Sequence, residues 1–166
     1  MGTVVVRLRQ IIAASKTNID LGNWRSGKVP RADFPMAKAA YGLGNSYQWC
    51  VIKFEALGAK CRVLVVLNPQ KQKYEAVLGI EGANGLKILC TYEHHPSEPG
   101  WHCHATHDDS DTLNFGCMRG PWIKRVPSAR QPHRANKHPK FVIGEQTVAV
   151  RFAVDRYKIR TKGPLI

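Results

Sequence analysis

Residues 47–67 read YQWCVIKFEALGAKCRVLVVL, and the fold turns on how this stretch is interpreted. Its two runs, YQWCVIKFEAL (47–57) and CRVLVVL (61–67), are dense in β-branched and aromatic residues and are separated by a break at Gly58. Such side chains pack well on a pleated surface, so the stretch predicts two strands. The texture continues downstream. KYEAVLGIE (73–81) and LKILCTYE (86–93) flank GANG (82–85), whose Asn84-Gly85 pair favours a two-residue hairpin. WHCHAT (101–106) follows the turn-like HPSEPG (95–100). Five successive strands with short connections predict an antiparallel meander over residues 47–106.

Outward from the meander the period changes. Val4, Leu8, Ile11 and Ile12 recur at helical spacing, which predicts an amphipathic helix within residues 1–17. Residues 18–46, rich in Gly, Asn, Ser and Pro, read as a long connection, and 107–144 as a loop containing a basic stretch. Over 145–160, Ala149, Phe152, Ala153 and Tyr157 form a helical stripe, and the alanines favour helix over strand. The expected architecture is a single α+β domain: N-terminal helix, five-stranded antiparallel β-meander, basic irregular loop, C-terminal helix. In that inferred outline the chain resembles small microbial ribonucleases of the RelE and barnase type. The resemblance is one of architecture, carried by no motif.

Composition narrows the class. The 166 residues carry 25 Lys and Arg against 12 Asp and Glu, a net charge of +13, which favours a polyanionic partner such as RNA or DNA. An acidic protein partner is the other candidate. The chain has no apolar run long enough for a membrane span. The first sixteen residues, MGTVVVRLRQIIAASK, have charges inside the apolar stretch and so lack a signal-peptide core. A cytoplasmic protein is expected. Cys50, Cys61, Cys90, Cys103 and Cys117 are widely spaced without a CxxC pair, which suits thiols better than a disulfide framework.

The chemistry concentrates in GWHCHATHDD (100–109), with His94 and His95 just upstream. Alternation along a strand puts His102, His104 and Thr106 on one face and Trp101, Cys103 and Ala105 on the other. The apolar set belongs to the core, so the two imidazoles are expected to project away from it. One use is metal: His102 and His104 at i and i+2 are a donor pair that Cys90, His94 or His107 would complete as a zinc site, with Cys90 and His94 the leading pair. The spacing His102-x-His104-x-x-His107 is similar to the metallo-β-lactamase motif. However, Thr106 replaces its acidic residue, and the chain is too short for that fold. The other use needs no metal. Two imidazoles that titrate near neutrality serve as base and acid in cleaving RNA, while a cation stabilises the phosphorane. His102 and His104 fill the first roles in either order, Arg119, Lys124 or Arg134 supplies the cation, and His133 is a replacement acid. The plainest alternative is polar decoration at the end of a hairpin.

From Met118 to Lys140 seven Lys or Arg occur without a single acid. Arg130, Arg134, Lys137 and Lys140, with Lys124 and Arg125, are suited to phosphates, and Trp122 to stacking on a base. The leading expectation is a small metal-independent endoribonuclease without a cofactor. A non-catalytic nucleic-acid-binding module with structural zinc on Cys90, His94, His102 and His104 is the second, and a basic adaptor for an acidic protein the third.

Overall fold

The computed structural model describes residues 7–36, 43–83, 85–95, 98–106, 123–126 and 145–160. Its elements are α1 (Leu8–Ala13), β1 (Thr17–Asp20), β2 (Arg25–Ser26), β3 (Gln48–Ala56), β4 (Ala59–Asn68), β5 (Lys73–Gly82), β6 (Gly85–His95), β7 (Glu98–Thr106), β8 (Ile123–Val126) and α2 (Gln146–Tyr157). All strands join one eight-stranded sheet in the order β1-β3-β4-β5-β6-β7-β8, with β2 also pairing β3. Every pairing is antiparallel.

The α+β class and the meander at the centre of the sheet agree with the sequence. Leu57 and Gly58, both at positive φ, join β3 to β4 in a two-residue turn, with Ala56 opposite Ala59. Gly82 pairs with Gly85 across the hairpin that joins β5 to β6. The strand count does not agree: the described residues form eight strands where five are expected. Residues 18–46 contain β2 and most of β1, and 107–144 contain β8. These strands are two to four residues long, and β1 and β8 lie at the ends of the sheet order, so they lack the apolar alternation that marks a half-buried strand. Pro121 and Pro127 bracket IKRV, and a residue with no N–H cannot extend the ladder. Among the described residues the first helix ends at Ala13, short of residue 17, because β1 begins at Thr17 and Lys16 Nζ donates to the carbonyls of Ile12 and Ala14 at the helix end; residues 1–6, with Val4 of the expected stripe, lie outside the described residues.

Both faces of the central strands are buried, which explains why β3 and β4 read as near-continuous apolar runs. On one face Cys50, Ile52, Phe54, Val63, Val65 and Leu67 meet Ile11 of α1 and Ala149, Ala153, Val154 and Tyr157 of α2. On the other, Trp49, Val51, Leu64, Val66 and Val77 lie under Val29 and Phe34. Arg62 pins that covering segment: it pairs with Glu81 and donates to the carbonyls of Ala32 and Asp33 at 2.9 and 2.7 Å. Gly22 is required where the chain crosses β3, since a Cβ there would stand 2.3 Å from the Val51 carbonyl oxygen.

One irregularity in β6 controls everything beyond it. Leu78 pairs with Cys90 and Gly79 with Ile88, so Leu89 is an extra residue. Leu89 and Cys90 consequently both enter the core under α2, while Leu86 and Ile88 lie in the core on the opposite face. The bulge shifts the phase of alternation for the rest of the strand.

Helix α2 is held at two buried hydroxyls. Tyr157 Oη donates to the Ala76 carbonyl at 2.6 Å, and Tyr74 Oη to the Ala149 carbonyl at 2.9 Å. Tyr157→Phe is expected to cost about 1–2 kcal/mol and to lower the melting temperature by several degrees without changing the circular dichroism spectrum. A melting curve identical to wild type would remove this hydroxyl from the helix anchor.

Candidate functional site

Past the bulge, Thr91 pairs with His104 and Glu93 with His102 across β6 and β7. Directly opposite residues share a face, so Glu93, His102 and His104 emerge together. They lie beyond the apolar cluster under Val29 and Phe34, on the same side of the sheet. Trp101 and Cys103 point the other way, into the core under α2, as the alternation predicts. Trp101 stacks there between Tyr92 and Phe152, with ring centroids 4.9 and 5.1 Å away.

The imidazoles converge on one carboxylate oxygen. His102 Nε2 lies 3.3 Å and His104 Nε2 3.7 Å from Glu93 Oε2. The two rings are 5.1 Å apart with nearly perpendicular planes. His102 and Glu93 are buried at 1% and 3% exposure, and the side chain of His104 is 14% exposed. The burial of His102 departs from its expected position away from the core. Alternation assigns a side chain to a face but carries no information about what packs over that face from elsewhere in the chain.

Two neighbours extend the site in register. Glu75 of β5 stands opposite Glu93, and Arg125 of β8 opposite His104. Arg125 is half-buried, and Lys124, opposite Ala105, is exposed. The sequence predicts an irregular loop here; instead both occupy a strand at the end of the sheet order, Arg125 on the face of His104 and Lys124 on the face of Ala105. Arg119, Trp122, Arg130, His133, Arg134, Lys137 and Lys140 lie outside the described residues.

The four-residue zinc set is not brought together. Cys90 lies in the core under α2, and His94 is paired with Tyr74 and meets the Trp101 ring at a tilt, both on that same side. His102 and His104 face the opposite side. The residue that joins them is Glu93, which sequence reasoning passed over. Its signal was present in Ile88-Leu89-Cys90, three consecutive apolar residues in an otherwise alternating strand, which mark the phase shift that turns Glu93 toward the histidines.

The core thiols form a separate group. Burial pushes Cys50 and Cys61 up to about 12, so both behave as small apolar residues. Cys103 is drawn below the ordinary thiol range by a hydrogen bond from Cys90 and by the Arg156 guanidinium, whose Nη2 stands 2.8 Å from its sulfur. A cavity of about 210 Å³, bordered by Leu21, Trp24, Thr147, Val150 and Arg151, lies beside the start of α2 and contains none of the histidines.

Comparison with protein-family models, curated proteins and solved structures finds no match, so the site has to be read from its own chemistry. Among the described residues no helix is long and apolar enough to cross a membrane.

Burial separates the two histidines energetically. His102→Ala removes a buried ring beside a buried carboxylate and is expected to cost about 2–4 kcal/mol. His104→Ala, nearer the surface, is expected to cost about 1 kcal/mol or less. Paired denaturant melts measure both. Equal losses would contradict the burial assigned to His102.

Proposed function

We propose that this protein acts on RNA, cleaving its phosphodiester backbone on the sheet face that presents Glu93, His102 and His104. The observation that carries the reading is the convergence of two imidazoles on one buried carboxylate in a chain of net charge +13. Arg125 beside His104 supports it, because a phosphate approaching His104 would meet a cation on the adjacent edge strand.

In such a cleavage the 2′-hydroxyl loses its proton as its oxygen attacks phosphorus. The P–O5′ bond breaks, and the departing 5′-oxygen takes up a proton, leaving a 2′,3′-cyclic phosphate. A pair of independently acting histidines would both have to reach the substrate. His102 is buried, which favours a different division of labour: Glu93, His102 and His104 act as one unit, with His104 nearest the substrate. Arg125 is then the group placed to stabilise charge on the phosphorane.

The test is a cleavage assay on RNA and on DNA of the same sequence, with and without added divalent metal ions. RNA is expected to be cut to cyclic-phosphate ends and DNA to stay intact. His104→Ala and Glu93→Gln should slow cleavage about 100-fold or more, the scale expected when acid–base chemistry is removed. RNA left intact under all of these conditions would overturn the proposal. Tight binding without cleavage would point to a nucleic-acid-binding module.

A further inference from the structure

We propose that Glu93, His102 and His104 together bind one divalent transition-metal ion of the borderline class to which Zn²⁺ belongs. This deepens the reading of that face as the site of chemistry, and depends on it only for what the ion would do.

Spacing is the first support. A charge-assisted hydrogen bond between imidazole and carboxylate would draw the atoms to about 2.7–2.9 Å. The observed separations are 3.3 and 3.7 Å, both to the same oxygen. Ligand atoms held about 2.0–2.2 Å from one ion stand roughly 3.0–3.5 Å apart; His102 Nε2 already lies within that range of Glu93 Oε2, and His104 Nε2 lies just beyond it. One donor atom from each of the three residues lies within 4.8 Å of the others. Closing the imidazoles onto a shared ion therefore takes a movement of no more than about 1.5 Å, within reach of side-chain rotation.

Donor chemistry is the second. Two neutral imidazoles and a carboxylate form a nitrogen-rich set that suits Zn²⁺, Co²⁺ or Fe²⁺ better than Mg²⁺ or Ca²⁺, which prefer all-oxygen shells. Three protein ligands leave a coordination position for water or substrate, the arrangement of catalytic rather than structural sites. The partly exposed His104 marks the side on which that position opens.

With RNA bound, an ion held by Glu93, His102 and His104 would supply Lewis-acid chemistry at a phosphoryl oxygen, and the three side chains would then act as its ligands in place of direct proton transfer.

The experiment is a Co²⁺ titration of the full chain after chelator treatment, followed by visible absorption and then by Zn²⁺ competition. The expected result is a weak visible band that saturates near one equivalent and is bleached by Zn²⁺. His104→Ala and Glu93→Gln should each weaken Co²⁺ binding at least tenfold, and His104→Ala should keep a near-wild-type melt, so the readout survives if the Glu93 variant fails to fold. A folded wild type without saturable absorption would overturn the proposal. So would an intense near-ultraviolet thiolate-to-cobalt band, which would move the ion to the cysteines. The titration contains no RNA, so a chain that binds Co²⁺ as described yet leaves RNA intact upholds the metal site and removes only the RNA-cleavage reading.

Discussion

Leu89 is one residue too many for the pairing of β6 with β5, and the molecule's chemistry depends on that surplus. Without it, strict alternation from Ile88 would carry Cys90 and Tyr92 to the face of Val29 and Phe34, and would turn Thr91 and Glu93 into the core beneath α2. With it, the assignments exchange. Tyr92 joins Trp101, Tyr74 and Phe152 in an aromatic cluster against α2, and Glu93 meets His102. A bulge that re-aims a side chain toward a site is a recurrent device of antiparallel sheets.

The apolar side of this exchange holds the polar side in place. Tyr157 reaches through the core to the carbonyls of Ala76 and Cys90, on β5 and β6, next to the bulge. Trp101 packs against Tyr74, Tyr92 and Phe152, tying β5, β6 and β7 to the helix. Any slip of β7 along β6 would pull Trp101 and Cys103 out of that packing. The partnership of Glu93 with His102 is thus enforced by apolar contacts on the reverse of the sheet, so a buried cluster of carboxylate and imidazoles does not need to hold itself together.

The central strands were legible because β3 to β7 carry dense β-branched and aromatic runs with glycine at their turns, and α2 because Ala149, Ala153 and Tyr157 repeat at helical spacing. The short strands β1, β2 and β8 were not. TNID, RS and IKRV are too short and too polar to announce pairing that only a neighbouring edge supplies. At the site, alternation placed His102 and His104 on a common face away from Trp101 and Cys103. It did not identify their partner, because pairing register is a tertiary property, and the alternative set of Cys90 and His94 divides from them for the same reason. The burial of His102 was equally beyond local pattern.

The claim on which this account rests is that β6 and β7 bring the Nε2 atoms of His102 and His104 to a single point beside Glu93. The most direct measurement is a long-range ¹⁵N–¹H spectrum of the histidine side chains, recorded before and after one equivalent of Zn²⁺. The account predicts that the Nε2 resonances of His102 and His104 move together at that equivalent while those of His94, on the opposite face, stay in place. Movement of His94 with either of them, or of His102 and His104 separately, would contradict the register and the site built on it.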